Sequence, residues 1–410
     1  MEALTGAAPS RAARCDLRPE RTPVQPAHRY DGVDGPQVAI AHDYLTQRGG
    51  AEKVVLSMSR AFPEATIYTL LYDPENTYPE FADRDVRVSG LNRIGPLRRN
   101  HRAALPVLPF AANTVQVDAD VVLTSSSGWA HGFRTRGQKL VFCHTPAHWL
   151  YTRDEYLGGS NGSLLKRAVL AATSPYLLPW DRRAAHSCDK YLAVSTSIRS
   201  RIAEAYGITA DVVHSPVAMS GVDAAEPVEA VQAWAGSGPL SDCEGAFYLC
   251  VSRLLPYKNV DAIVRAFADT DRRLVVVGRG PEAERLARIK TPNVLMLSDL
   301  SDAQMVWLYR NCRALIAASY EDYGLTPIEA GVWGRPSVVL RRGGFLDTIE
   351  ENVTGVYFDE PAPGAIAAAL DEFETMSFDA ERIRSHVEQF TEERFAEKLY
   401  AVIDELSSTN

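Results

Sequence analysis

The chain has 410 residues, 46% of them hydrophobic, which is enough for two α/β domains rather than one. Its formal net charge of -9 argues against a nucleic-acid-binding protein, because phosphate contacts require a basic face. The six cysteines are scattered without a Cys-x-x-Cys pair, so the sequence predicts neither a zinc site nor a disulfide framework.

The sequence also indicates the cellular compartment. Residues 1–36 are rich in Ala, Arg and Pro without periodicity, which is typical of a disordered tail. No segment approaches the roughly 18 continuous apolar residues of a membrane-spanning helix, and the N-terminus lacks the apolar core of a secretory signal. We therefore expect a cytoplasmic protein.

Residues 37–216 alternate short apolar segments with helical patterns, which predicts a first domain built on a parallel sheet. A longer helical segment, 163–188, contains Pro175 and Pro179, and we expect the helix to break near them. The predicted strands lie within 38–45, 65–71, 120–127, 139–145, 190–195 and 211–216.

Residues 217–244 are rich in small and acidic residues and are expected to connect two domains. The alternation of strand and helix then restarts over 245–390, and residues 391–410 predict a C-terminal helix that returns to the first domain. Two doubly wound α/β domains of this kind would place the carboxyl ends of their strands on opposite walls of one cleft. The second-domain strand candidates are 246–254, 273–280, 293–300, 313–319, 336–342 and 354–358.

The stretch SYEDYGLTPIEA places Glu321 and Glu329 on either side of a turn that follows a predicted strand. Pro327 suits the first position of a helix with Thr326 as its N-cap, and Glu329 then completes a capping box. Capping does not explain Glu321 or Gly324, whereas a glycine before a helix N-terminus favours close approach of an anion. The turn is therefore a candidate ligand site.

Other candidate residues follow predicted strands. Arg253 and Lys258 lie just past a strand end, where two cations could hold a diphosphate, although a solvated loop would look the same. Gly49 and Gly50 separate a strand from a helix, and His144 stands in a His-x-Pro turn after another strand.

With these motifs combined, residues 38 to about 405 resemble the retaining glycosyltransferases of family four, also called group 1 glycosyltransferases. The resemblance implies the GT-B fold, in which two Rossmann-like doubly wound α/β domains face each other across a cleft. It implies that Glu321 binds a hydroxyl of a donor sugar and Glu329 the ribose hydroxyls. It also implies that the amides of Gly324, Leu325 and Thr326 face the diphosphate or the sugar.

In the first domain, the resemblance places the Gly49–Gly50 loop near the donor phosphate and His144 beside the reacting sugar. His144 and Glu321 are then the catalytic candidates, and Arg253 and Lys258 belong to the donor site. Five further residues are expected on the acceptor side: Asp43, Tyr44, His148, Tyr151 and Arg153.

HDYL, GGAEK and CHTP in the first domain are most similar to bacterial mannosyltransferases of O-antigen and related polysaccharide biosynthesis. The implied reaction is retaining transfer of a hexosyl group, mannose from GDP-mannose, to a glycan, lipid-linked or small-molecule acceptor. A UDP-sugar donor is the alternative within the same fold. We expect no cofactor and no metal, because no Asp-x-Asp-like pair is placed to hold Mg²⁺.

Two alternatives come from other classes. GRGPEA, residues 278–283, fits a relaxed dinucleotide fingerprint with Asp299 as a ribose-binding acid, which would indicate an NAD-dependent oxidoreductase. That fingerprint should follow the first strand of its unit, whereas here another predicted strand precedes it, and it leaves Glu321 and Glu329 unexplained. A non-catalytic nucleotide-sugar sensor is the other alternative, and a donor-hydrolysis assay would distinguish it.

A basic segment, residues 91–110, carries arginines beside Leu and Pro. The ordinary interpretation is a solvated basic helix. The alternative is peripheral contact with anionic lipid at the inner membrane face or with a lipid-diphosphate acceptor. The arginines concerned are Arg93, Arg98, Arg99 and Arg102.

Overall fold

The computed structural model describes residues 35–99, 104, 107–152, 164–217, 224–235 and 245–408. The predicted tail, except for its last two residues, and most of the predicted connection lie outside the described residues. Arg102 and Arg153 also lie outside them.

The first domain contains a parallel sheet of seven strands within the described residues, in the order β3-β2-β1-β5-β7-β8-β9. Its central strands β5 and β7 are almost completely buried, as expected of a sheet covered on both faces. A separate two-stranded pair, β4 with β6, was not predicted. The strands are β1 (Val38–His42), β2 (Ile67–Thr69), β3 (Val86–Val88), β4 (Gln116–Val117), β5 (Val121–Ser126), β6 (Arg134–Thr135), β7 (Gln138–Cys143), β8 (Lys190–Ala193) and β9 (Asp211–Val212).

The helices of this half follow the predicted alternation, with one difference. The predicted break near Pro175 and Pro179 is wrong, because one helix continues through both prolines. Leu177 and Trp180 of this helix are buried in the core, and this packing outweighs the backbone hydrogen bonds that the prolines remove. The helices are α1 (Gly50–Ala61), α2 (Gly95–Arg99), α3 (Leu108–Ala112), α4 (His148–Tyr151), α5 (Leu164–His186) and α6 (Thr196–Tyr206).

The second domain contains six described parallel strands in the order β12-β11-β10-β13-β14-β15. This is the doubly wound order in which the strand sequence reverses between β10 and β13. The strands are β10 (Tyr248–Val251), β11 (Leu274–Val277), β12 (Val294–Leu297), β13 (Leu315–Ala317), β14 (Ser337–Leu340) and β15 (Gly355–Phe358). The predicted fold class, two Rossmann-like doubly wound domains, is confirmed.

Helices cover both faces of the second sheet, and α7 precedes it in the chain. They are α7 (Glu229–Ala235), α8 (Val260–Ala266), α9 (Ala283–Ile289), α10 (Asp302–Asn311), α11 (Leu325–Val332), α12 (Phe345–Thr348), α13 (Pro363–Thr375), α14 (Ala380–Val387) and α15 (Glu392–Ser408). In the described part of the chain, no helix is both long and apolar enough to cross a membrane.

The C-terminal helix α15 packs on the first domain although it follows the second in the chain. Phe395, Leu399 and Ile403 lie in the same buried cluster as the inner face of α1. The Tyr400 hydroxyl donates a hydrogen bond of 2.7 Å to the carbonyl of Ala61. The chain therefore crosses between the domains a second time.

Candidate functional site

A glycine fixes the start of helix α11 in the second domain. Gly324 is the N-cap residue with φ 84° and ψ 69°, a left-handed conformation that favours glycine. A Cβ at this position would lie 2.5 Å from Cδ1 of Phe345. Both constraints exclude larger residues at position 324 and fix the start of α11, where the first N–H groups of a helix lack intrahelical acceptors.

The predicted capping box at Thr326 is wrong. Because Gly324 adopts a left-handed conformation, the helix begins at Leu325, and Thr326 and Pro327 are its second and third residues. Pro327 is tolerated there because the first N–H groups of a helix have no intrahelical acceptor. Glu329 instead accepts a hydrogen bond of 2.6 Å from the Tyr309 hydroxyl.

Lys258 and Glu321 meet at the point where the strand order reverses. Lys258 ends a short 3-10 turn after β10 and is only 8% exposed. Its Nζ lies 2.5 Å from Oε1 of Glu321, which also accepts a hydrogen bond from Ser319 Oγ. Arg253 is exposed nearby in the chain and donates to the Tyr257 hydroxyl at 3.0 Å. Carboxylate and ammonium are thus fixed together at the carboxyl edge of the sheet, where such sheets bind ligands.

The glycine loop of the first domain faces the start of α11. Gly49 is the N-cap of α1 and Gly50 its first residue. A Cβ placed on Gly50 would lie 3.4 Å from Cδ1 of Leu325. The N-termini of two helices from different domains therefore approach each other, and the positive end of a helix dipole favours an anion.

His144 follows β7 at the carboxyl edge of the first sheet. Its Nε2 lies 2.8 Å from Ser125 Oγ. Burial and the neighbouring His42 lower the pKa of His144 to about 3, and the Asp322 carboxylate acts weakly in the opposite direction. The imidazole is therefore neutral at physiological pH.

His148, which was predicted on the acceptor side, contacts the second domain. Its Nε2 lies 2.9 Å from Oδ2 of Asp322, while Arg201 Nη1 lies 2.8 Å from Oδ1 of the same carboxylate. Burial acts to raise the pKa of Asp322, but the hydrogen bond to His148 and the positive charge of Arg201 lower it below its ordinary value of 3.8. We call these three residues the Asp322 clamp.

Further hydrogen bonds join the same turn to the first domain. Ser195 Oγ donates to the backbone carbonyl of Asp322 at 2.5 Å, and the Tyr323 hydroxyl donates to the carbonyl of Ser215 at 2.8 Å. Residues 319–324, which we call the Glu321 turn, therefore contact both domains.

Three other residues predicted on the acceptor side have contacts within the first domain. Asp43 is buried, and its carboxylate accepts hydrogen bonds from the backbone amides of Ser127, Trp129 and Ala130, so it anchors the loop after β5. Tyr151 donates to Asp181 at 2.8 Å, and burial and that carboxylate raise the pKa of Tyr151. Tyr44 is half-buried against the first-domain core.

Sequence reasoning missed Asp322, Arg201 and Ser125. Asp322 lies beside Glu321 in the quoted motif, and its position was the available signal. Arg201 and Ser125 carried no signal, because a helix arginine and a strand serine are ordinary and their partners are distant in the chain.

Two family models match the chain. Glycosyltransferase Family 4 matches residues 48–220, and Glycosyl transferases group 1 matches residues 239–390. Together they span both domains and include the Gly50 loop, His144, Lys258 and the Glu321 turn.

Curated relatives point in the same direction. The GDP-mannose-dependent alpha-(1-6)-phosphatidylinositol monomannoside mannosyltransferase of Mycolicibacterium smegmatis is 29% identical over 247 residues, which are 51% of this chain and 62% of that protein. The alpha-1,3/1,6-mannosyltransferase ALG2 of Dictyostelium discoideum is 23% identical, and the match covers 89% of this chain and 96% of that protein.

Among solved structures, Anabaena Alr3699/HepE in complex with UDP and glucose superposes with a TM-score of 0.62 at 16% identity, covering 90% of this chain and all of that one. The protein is thus a glycosyltransferase with the GT-B fold. It belongs to glycosyltransferase family four, the group 1 glycosyltransferases.

We predict that the Asp322 clamp couples the domains energetically. In a double-mutant cycle of Asp322→Ala and His148→Ala, urea unfolding should give a coupling energy of about 1 kcal/mol, because both side chains remain partly exposed. The pKa of Asp322 is lower in the folded state than in the unfolded chain. Its contribution to folding stability is therefore fully present above the ordinary carboxyl pKa and is lost as the pH falls through the lowered pKa. The coupling should therefore shrink below about pH 4.

The control is the same cycle with Asp347→Ala, since Asp347 also contacts the first domain but binds Thr196 rather than His148. That cycle should be additive. Equal, additive losses in both cycles would contradict the clamp.

Proposed function

We propose that the protein transfers a mannosyl group from GDP-mannose to a glycan, lipid-linked or small-molecule acceptor, with retention of the anomeric configuration. The observation that carries the proposal is the pairing of Lys258 with Glu321 beside the start of α11. An ammonium has three N–H groups, so Lys258 can bind Glu321 and diphosphate oxygens together. The carboxylate held there suits a sugar hydroxyl.

The choice of mannose and guanosine rests on the relatives. The mycobacterial relative is named as GDP-mannose-dependent, and the Dictyostelium relative is named as a mannosyltransferase. We extend this donor to the present chain on the strength of these names, since Glu329 and the diphosphate-binding candidates would serve any nucleoside diphosphate.

The donor would lie between the domains, with its diphosphate between the N-termini of α1 and α11. Arg253, Lys258 and the amides at Gly324 and Leu325 would stabilise the charge that develops on the leaving diphosphate. These cations make a divalent metal ion unnecessary in the proposed reaction. Glu329, oriented by Tyr309, would bind the ribose hydroxyls.

For the chemical step we propose front-face displacement. The acceptor hydroxyl attacks from the side that the diphosphate leaves, through an oxocarbenium-like state, and a phosphate oxygen takes the acceptor proton. The bond from the anomeric carbon to the phosphate oxygen breaks as the new glycosidic bond forms. Glu321 is assigned to a sugar hydroxyl, and neutral His144 to the sugar from the first-domain side.

The donor assignment predicts a ranking of nucleotides. GDP should raise the melting temperature more than UDP or ADP at equal concentration, because ligand binding to the folded state stabilises it. Lys258→Met should weaken GDP binding by about 1.5–3 kcal/mol, the cost of a lost charge-assisted contact. Lys290→Met, on the exposed end of α9, is the matched control. A larger shift with UDP would contradict the guanosine assignment.

The catalytic assignment predicts that replacing either residue lowers turnover without weakening nucleotide binding. His144→Ala should lower kcat by about 100-fold, and Glu321→Gln should also lower kcat, while GDP affinity changes little in both variants. The reason is that both side chains are assigned to the sugar rather than to the nucleotide. Measurement of transfer and of donor hydrolysis tests this, and wild-type turnover in His144→Ala would remove the first domain from the proposed site.

We further propose that the region around α2 contacts anionic lipid. Arg93, Ile94 and Arg99 are exposed there, with 48% of Ile94 accessible. On the same domain, Phe110 is 58% exposed and stacks on the exposed ring of Tyr176 at 5.4 Å. Cationic and apolar groups exposed on one domain suit an interfacial surface.

Vesicle binding tests this surface. Replacing Arg93, Arg98 and Arg99 together with Gln should weaken binding to anionic vesicles about 100-fold at low salt, at ~1 kcal/mol per arginine, while transfer to a short-chain acceptor is unaffected. The control replaces three exposed second-domain arginines: Arg265, Arg288 and Arg382. Equal loss in the control, or no binding by the wild type, would exclude the surface.

A further inference from the structure

Two histidines of the first domain share one buried serine hydroxyl. His42 ends β1, Ser125 lies opposite it in the sheet register on β5, and His144 follows the next strand, β7. Ser125 Oγ lies 3.0 Å from His42 Nδ1 and 2.8 Å from His144 Nε2. His42 and Ser125 are almost completely buried, so water does not compete for the hydrogen bond between them, while His144 is half-buried.

The geometry determines where each hydrogen lies. His42 Nδ1 is 3.1 Å from the backbone carbonyl oxygen of Ser125, which can only accept. Nδ1 of His42 therefore carries a hydrogen and faces the carbonyl and Oγ as two acceptors. The Ser125 hydroxyl hydrogen is then directed to the remaining partner, Nε2 of His144.

His144 is neutral, which completes the assignment. Charged and titratable groups near His42 and His144 include Asp43 after β1, Glu52 on α1 and Asp322 of the Glu321 turn. At His144 burial has the largest effect on the pKa, His42 lowers it further and Asp322 raises it, so the pKa stays far below neutrality. A neutral imidazole that accepts at Nε2 carries its hydrogen on Nδ1.

The imidazole of His144 also packs against an aromatic ring. Phe142 packs against His144 edge to face, with ring centroids 5.2 Å apart and an interplanar angle of 76°. Among the described residues, no hydrogen-bond partner contacts Nδ1 of His144, so its N–H remains available to a ligand.

We propose that Ser125, oriented by His42, is a positioning residue that holds His144 as a neutral donor through Nδ1–H. The ligand atom opposite His144 must then be an acceptor, a hydroxyl or ring oxygen of the transferred sugar. His144 acts as a fixed hydrogen-bond donor and not as a general acid or base. The proposal rests on the proposed function only for the identity of that ligand.

The tautomer is directly measurable. In the full-length protein labelled with ¹⁵N at histidine imidazoles, long-range ¹H–¹⁵N spectra should show His144 at pH 7 with the hydrogen on Nδ1 and an unprotonated Nε2. His144→Gln assigns the signals by their loss. An Nε2–H tautomer or an imidazolium in the wild type would overturn the proposal, whatever the enzyme's activity.

The kinetic test uses neighbouring serines of β5. Ser125→Ala should shift His144 from the Nδ1–H tautomer and lower kcat by about 10-fold, with the KM for the donor little changed. Ser126→Ala is the matched control, because the Ser126 hydroxyl is equally buried but contacts Asp43 and the Gly128 amide. Ser126 bonds to His144 only through its backbone carbonyl, which alanine keeps. An equal loss of kcat in Ser126→Ala, or an unchanged tautomer in Ser125→Ala, would refute the role of Ser125.

Failure of the proposed function and failure of the Ser125 inference give different results. If transfer is absent or His144→Ala retains turnover, the tautomer measured in the wild type still decides whether the Ser125 hydrogen bonds exist. If the tautomer is wrong while His144→Ala loses turnover, the proposed function stands and the Ser125 inference falls.

Discussion

The geometry of the site depends on three consecutive side chains in the Glu321 turn. One of them binds a partner in the second domain, and the other two bind partners in the first domain. Glu321 pairs with Lys258 of its own domain, Asp322 pairs with His148 and Arg201 of the first domain, and Tyr323 reaches the first domain as well. Gly324 then starts helix α11 in a conformation that few other residues could adopt. The same few residues thus position the sugar-binding candidate and fix the distance between the two walls of the site.

This arrangement follows from the parallel sheets. Parallel strands end at one edge, and the order reverses between β10 and β13, which leaves a crevice where Lys258 and Glu321 can meet. In the first domain β1, β5 and β7 are neighbours, which brings His42, Ser125 and His144 within hydrogen-bond distance. Residues far apart in the chain form one site because neighbouring strands of a parallel sheet have their carboxyl ends at the same edge.

The sequence predicted the two doubly wound domains and placed Lys258 and Glu321 at strand ends, because strand periodicity and turn residues are local signals. It mispredicted the start of α11, since Thr-Pro resembles a helix N-terminus and only the backbone of Gly324 shows that the helix begins earlier. It did not predict the hydrogen-bond partners of His148 and Tyr151. Their partners, Asp322 and Asp181, are distant in the chain, and no local pattern identifies which carboxylate a polar side chain will meet.

The most direct test of this account is a structure of the protein with an unreactive GDP-mannose analogue. The account predicts that Lys258 Nζ contacts both Glu321 and a diphosphate oxygen, that the other oxygen of Glu321 contacts a sugar hydroxyl, and that Nδ1 of His144 faces an oxygen of the same sugar. A donor diphosphate bound away from Lys258 and the start of α11, with the Lys258–Glu321 pair contacting no part of it, would contradict the account.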